Sequence, residues 1–252
     1  MARYDFRSPR LFVDASLTAG AALPLAPNQA NYLLNALRLK PGAPVLVFNE
    51  RDGEWRAELG AARKKGAELI IIERAREQTQ LGDLHYLFSP LKHARLDYMV
   101  QKAVEMGVSR LQPVIMRHTQ TERVNLDRMR ANAIEAAEQC GIITIPDIAA
   151  PITLDAFVQD WVPERLLVFC DEKADVKDPI AALRNARDPV AIAPPRVTLL
   201  IGPEGGFAEE ERAALLELAN VVRLALGPRI LRADTAAVAA LALVQAVLGD
   251  WC

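Results

Sequence analysis

The chain has 252 residues, 51% apolar and 25% charged, with a formal net charge of −2 at pH 7. That is ordinary globular composition, enough for one large domain or two smaller ones. It does not mark a strongly basic nucleic-acid binder. Cys140, Cys170 and Cys252, like His85, His93 and His118, lie too far apart for a disulfide framework or metal-ligand spacing, so no metal is expected and a reducing cytoplasm is.

Residues 1–80 hold 12 Lys and Arg against 9 Asp and Glu, a surplus of +3, and the rest of the chain holds 18 against 23, a balance of −5. A basic front permits a phosphate-facing patch, although a chance fluctuation gives the same figures. No basic start leads into an apolar stretch, so no signal peptide is expected. Residues 10–74 read mostly as strands: Leu11 to Val13, Val45 to Phe48 and Leu69 to Ile72 are short apolar runs, and Trp55, Ala57 and Leu59 alternate with polar neighbours. Arg51-Asp52-Gly53 and Lys64-Lys65-Gly66 mark turns, and one helix interrupts from about Pro27 to Leu37. A small β-barrel fits this pattern. The polar stretch Glu73 to Asp83 has no apolar period and places the domain boundary, giving domains 1–75 and 76–252.

From Leu84 onward strands and helices alternate. Leu84 to Ser89 is a strand. Arg95 to Met106 is a helix with Leu96, Met99, Val100, Ala103 and Val104 on one face. Leu111 to Met116 is a strand containing Pro113, and Leu126 to Cys140 a helix stopped by Gly141. Strands follow at Leu166–Phe169, Val197–Ile201 and Val221–Leu226, with helices over Glu209–Ala219 and Thr235–Leu248. The apolar tract Ala236–Leu248, broken by Gln245, is too short to span a bilayer and reads as a buried helix. Alternation of this kind predicts an α/β fold with a mostly parallel sheet, whose ligands bind at the carboxyl ends of its strands.

Two glycine-bearing turns lie at such ends. The first, in LLIGPEGGFAEEE (Leu199 to Glu211), is neither G-x-G-x-x-G nor a P-loop. Glu209, Glu210 and Glu211 already occupy the positive end of the following helix, so the turn suits a neutral or cationic ligand better than a phosphate. The bland alternative is a tight turn and a stabilised helix start. The second, LALGPRILRADTAAVAAL (Leu224 to Leu241), puts Arg229 and Arg232 beside the expected rim, with Asp234 or Thr235 as helix cap. These arginines suit a phosphate or a developing oxyanion, or else a surface salt bridge to the acidic helix.

The paired turns resemble those of SPOUT-class methyltransferases that act on uridine N3 in 16S ribosomal RNA. So do RLFVD, ALRLKPG, VFNERDGEWRAEL, SPLKHARLDYMVQKAVEMGVSRLQPV and AIEAAEQCG, in order over nearly the whole chain. One departure stands out: the family's basic stretch after Gly141 is absent, with no Arg or Lys from Ile142 to Ile148. The resemblance implies a PUA-like N-terminal barrel that binds RNA, a C-terminal trefoil-knotted domain, a homodimer, and S-adenosylmethionine as cofactor. Leu200, Gly202, Pro203, Glu204 and Gly205 of the first turn would hold the cofactor. Leu226, Gly227, Ile230, Leu231 and Thr235 of the second would join them. Arg232, with Arg229 as second choice, would be the catalytic arginine. Arg3, Arg7, Arg10, Arg38 and Lys40, with Lys92, are the expected contacts to 16S RNA or the small ribosomal subunit. A ribose 2′-O-methyltransferase of the same class and a non-catalytic RNA-binding dimer are the alternatives.

Overall fold

The computed structural model describes residues 7–61, 66–80, 82–92, 94–121, 123–175, 178–187 and 195–251. Arg3, His93 and Cys252 lie outside the described residues. The chain forms two compact units, one of Met1–Gln80 with Ala137–Ile145 and one of Leu81–Ala136 with Pro146–Cys252.

The first unit is a five-stranded sheet of β1 (Arg10–Phe12), β2 (Ala22–Pro24), β3 (Pro44–Asn49), β4 (Gly53–Leu59) and β5 (Glu68–Arg76), in the order β1-β3-β4-β5-β2. Its pairs are antiparallel except β1 with β3, which is parallel. Leu11, Val45, Val47, Ala57, Leu69 and Ile71 form its core. The helix expected over Pro27–Leu37 changes winding midway. A short α1 (Pro27–Asn31) with Pro at its start runs into a π-helical turn, Tyr32–Ala36, closed by Leu37 N–H to the Tyr32 carbonyl at 2.9 Å. The segment Glu73–Arg76, read from sequence as linker, belongs to β5. It has no apolar period because its residues are mostly exposed, yet its backbone pairs with Glu54 to Arg56 of β4.

Arg10 is not a phosphate contact, as its sequence position had suggested. It is buried, its Nε lies 2.6 Å from Glu54 Oε1, and its guanidinium lies 4.4 Å from the Phe48 ring centroid. Its remaining nitrogens donate to the carbonyls of Ala137, Glu138 and Ile142. Arg76 takes the other Glu54 oxygen at 2.7 Å and donates to the Gly141 carbonyl at 2.8 Å. These carbonyls sit at and just past the end of α3 (Leu126–Cys140), where a helix leaves acceptors unmet and carries partial negative charge. The end of α3, just before the stretch that lacks its own Lys and Arg, is thus met by two arginines from the sheet.

The second unit contains β6 (Leu84–Phe88), α2 (Ala94–Glu105), β7 (Arg110–Ile115), α3 up to Ala136, β8 (Asp147–Ile148), β9 (Ile152–Thr153), α4 (Leu154–Gln159), β10 (Leu166–Cys170), α5 (Pro179–Ala186), β11 (Val197–Ile201), α6 (Glu209–Leu216), β12 (Val221–Leu224) and α7 (Ala233–Val247). The strand order is β12-β10-β11-β6-β7-β8, with β9 also on β7, and every pair is parallel. All five residues of β11 are buried, as a central strand covered on both faces requires. Gln245, the polar break in the last apolar tract, is itself buried. Its amide donates to the Met106 carbonyl at 2.5 Å and accepts from Asp250 N–H at 3.2 Å, tying α7 to the end of α2. Neither Asp234 nor Thr235 caps α7. The helix starts at Ala233 behind extended Arg232, and Asp234 lies in its first turn. Among the described residues no helix is long and apolar enough to cross a membrane.

Candidate active site

The segments after β10, β11 and β12 leave the sheet on one edge and enclose a cavity of about 340 Å³. That lies within the roughly 300–1,000 Å³ of small-molecule sites. Cys170, Asp171 and Glu172 line it from β10, Ile201 to Phe207 from β11, and Leu224 to Leu231 from β12, with Ala233 and Ala236 of α7.

The first turn is closed by Gly206 N–H to the Pro203 carbonyl at 2.9 Å. Gly206 has φ +72°, so the backbone there demands glycine, while a Cβ would meet only the movable carboxylate end of Glu172, 2.7 Å away. Gly227 in the second turn has φ +93° with open space around it, so there the backbone alone makes the demand. Gly205, expected among the cofactor residues, turns its bare face to protein. Its missing Cβ faces the stem of His118, 3.1 Å away, at the end of β7.

The three glutamates at the start of α6 are all engaged. Glu209 pairs with Lys173 and with Arg212, the latter at 2.9 Å. Glu210 lies 3.7 Å from Arg117. Glu211 accepts from Ala208 N–H at 2.9 Å and Arg117 N–H at 2.7 Å. Below the cavity, Asp171 is fully buried and accepts from Arg212 Nε and Arg223 Nε, each at 2.7 Å, and from Lys173 N–H at 3.1 Å. Burial pushes its pKa up, but those hydrogen bonds and the Arg212 charge outweigh it and hold the carboxyl below the usual range. One carboxylate therefore joins the end of β10 to α6 and β12, fixing both turns relative to each other.

Of the expected cofactor residues, Gly202, Pro203, Glu204, Gly205, Leu226, Gly227, Ile230 and Leu231 line this one cavity, as does Arg229. Leu200 does not: it is fully buried in β11, with its side chain in the cluster of Phe169 and Phe207. Thr235 and Arg232 also fall outside the lining, both exposed at the start of α7. Ile230 stands 93% exposed at the cavity edge. Neither Arg229 nor Arg232 forms a salt bridge to the acidic helix among the described residues, so both cations are available at the rim. Arg7, Arg38 and Lys40 of the first unit and Lys92 of the second are exposed. Sequence reasoning missed Asp171, Glu172 and His118. The only trace of the first two was a polar pair directly after the apolar run Leu166–Cys170.

A parallel sheet with a glycine-lined cavity at its carboxyl edge, preceded by a PUA-like sheet, defines the class. A family model for an RNA methyltransferase domain matches residues 77–245, and one for an RNA methyltransferase PUA domain matches residues 25–72. The chain belongs to this RNA methyltransferase family. It is 28% identical over 246 residues to a ribosomal RNA small subunit methyltransferase E of Rickettsia conorii, covering 96% of this chain and 97% of the relative. A protein of the same description from Synechocystis is 31% identical over 245 residues, 96% of this chain and 76% of the relative. The crystal structure of a ribosomal RNA small subunit methyltransferase E from Neisseria gonorrhoeae, bound to S-adenosyl methionine, matches with a TM-score of 0.81 at 27% identity, over 97% of this chain and all of that one.

Proposed function

We propose that the protein transfers a methyl group from S-adenosylmethionine to N3 of a specific uridine in 16S ribosomal RNA. The carrying observation is the single cavity in which both glycine turns meet, with Arg229 in its lining and Arg232 between the lining residues Leu231 and Ala233. Its residues fit the cofactor: bare backbone at Gly227 with open space for close approach, apolar Leu226 and Leu231 for an adenine face, and exposed Glu204 and Glu172 on a site that must accept a positive sulfonium. Bound there, the cofactor supplies an already activated methyl group.

The chain's task is then to hold the base in line and stabilise the charge that develops as N3 loses its proton. Arg232 at the rim, with Arg229 next to it, supports the negative charge spreading onto the base oxygens. The uridine leaves its stack to reach the cavity. The first unit holds RNA through Arg7, Arg38 and Lys40, joined by Lys92 in the second, and Arg3 belongs to the same set. The active form in this reading is a cytoplasmic homodimer with a trefoil-knotted second unit. The test is incubation with labelled S-adenosylmethionine and small ribosomal subunits from cells lacking the protein, followed by nucleoside analysis. Labelled 3-methyluridine is expected; a ribose-methylated nucleoside, or no transfer, overturns the proposal.

A further inference from the structure

We infer that His118 takes the N3 proton of the target uridine during methyl transfer, an inference that rests on the uridine-N3 reading above. His118 stands in the short loop that follows β7, on the same carboxyl edge of the sheet as the cavity. Its ring lies against the glycine turn: Nδ1 is 3.0 Å from the Gly206 carbonyl oxygen, and its Cβ meets the bare face of Gly205. Both glycines line the cavity.

The geometry fixes the tautomer. A carbonyl oxygen only accepts, so Nδ1 carries the hydrogen. Neutral imidazole then has its lone pair on Nε2, which has no hydrogen-bond partner among the described residues, on an exposed side chain. This is the arrangement of a base whose orienting contact leaves its accepting atom bare.

The loop is built to hold the ring still. Thr119 N–H donates to the Met116 carbonyl at 3.0 Å, and Met116 N–H donates to Thr119 Oγ1 at 2.8 Å. Thr119 Oγ1 also lies 2.9 Å from Ser89 Oγ, at the end of β6. Arg117 N–H is held by Glu211 of α6 at 2.7 Å. The residues on either side of His118 are thus pinned to β6 and to α6, while its ring is pinned to the cofactor turn. The charged groups around it are Arg117 on its own loop, Glu210 and Glu211 at the start of α6, Glu204 on the turn with Arg95 of α2, and Glu172 against Gly206.

The step balances without a further reactant. The N3–H bond breaks and its proton moves to Nε2, giving an imidazolium. N3 forms the bond to the methyl carbon as the carbon–sulfur bond breaks, the sulfonium positive charge is lost, and the imidazolium later returns its proton to water.

The test compares wild type, His118→Gln and His118→Ala in single-turnover methylation across pH, with calorimetric binding of S-adenosylhomocysteine and nucleoside analysis of the product. Gln keeps an amide able to donate to the Gly206 carbonyl but has no basic nitrogen. Both variants should keep product affinity and lose about 10²-fold or more in rate near neutrality, the usual scale of a general base. Their rates should recover in alkali, where N3 gives its proton to solvent, while the wild-type rate levels off. A wild-type rate in either variant overturns the inference. So does a loss equal at every pH, or one that follows the loss of binding, since each marks a structural role. If wild type yields a product other than 3-methyluridine, the uridine-N3 reading fails and the inference with it.

Discussion

Replacing Arg10 by Ala separates the two meanings an arginine at the front of this chain can have. Surface phosphate ligands contribute to RNA affinity and little to stability, whereas a buried, shared cation contributes the reverse. In the structure the guanidinium satisfies one oxygen of buried Glu54 and three backbone carbonyls at the end of α3. Its removal leaves Glu54 with Arg76 alone and returns those carbonyls to an unmet state. Removing one partner of a buried pair costs about 3–5 kcal/mol. At this chain length each kcal/mol moves the melting temperature by roughly 2–4 °C, so Arg10→Ala should melt about 6–20 °C below wild type. Scanning calorimetry measures this directly, and a double-mutant cycle with Glu54→Ala should show strong coupling between the two sites. A variant that melts with wild type, while binding RNA more weakly and with a shallower salt dependence, would refute the buried-clamp reasoning and restore Arg10 as a phosphate contact. The same clamp predicts that a chain beginning near Gln78 fails for a reason other than lost RNA affinity, because the carbonyls of Ala137 to Ile142 lose Arg10 and Arg76 together.

Arg38→Ala and Lys40→Ala together should weaken RNA binding and lower its salt slope by about 0.7–0.9 for each phosphate that is no longer neutralised; an unchanged slope in a filter-binding titration would mark both as merely solvated. Arg232→Ala should slow single-turnover methylation by about 10²–10³ while leaving calorimetric binding of the demethylated cofactor intact, and Lys should rescue poorly for want of the planar fork. A parallel fall in rate and affinity would move the assignment to Arg229. His85 is held down to about 4 by burial and then by the Arg165 charge, against the pull of Asp83. Between pH 6.5 and 4 the unfolded chain therefore binds the extra proton, so stability falls as pH falls, by up to about 3 kcal/mol. His85→Gln should flatten the melting temperature over that window, and superimposable curves for the two proteins would rule the imidazole out as the cause.

What the sequence made legible was what periodicity carries. The apolar runs Leu69–Ile72 and Val197–Ile201, and the one-sided face of Met99, Val100, Ala103 and Val104, all appear as the expected strands and helix with those residues mostly buried. Both glycine turns fall at strand ends and line one cavity, as the alternation of strands and helices implied. Short elements were not legible. Thr153 caps α4 and Asp178 caps α5 through their side-chain oxygens, and neither six nor eight residues hold enough apolar positions to show a period. Long-range partnerships were hidden too. Arg10 looks like any other front-segment cation until Glu54, Phe48 and the end of α3 surround it. Asp171 looks like a loop acid until Arg212 and Arg223 converge on it, and His118 is separated from Gly206 by 88 positions.

The charge argument at the cofactor turn changes its foundation in the structure while keeping its direction. The run Glu209-Glu210-Glu211 suggested a mouth that repels anions, yet Glu209 and Glu211 are spent on structure, and Glu210 makes only an exposed pair with Arg117 at 3.7 Å. Glu209 answers Lys173 and Arg212, Glu210 answers Arg117, and Glu211 closes the helix start and holds the loop that carries His118. Asp171 is likewise answered by two arginines. The carboxylates that line the cavity with exposed side chains are Glu172 and Glu204, and each is engaged only on one side, Glu172 3.6 Å from Arg212 and Glu204 3.3 Å from Arg95. Glu172 meets buried Arg212 only at long range and Glu204 meets Arg95 at the surface, so both acids remain responsive to a cation brought into the cavity. In the proposed function, Glu172 and Glu204 are therefore the carboxylates that would favour a positively charged cofactor over a phosphate. Glu172 stands against the bare face of Gly206, whose left-handed backbone shapes the turn.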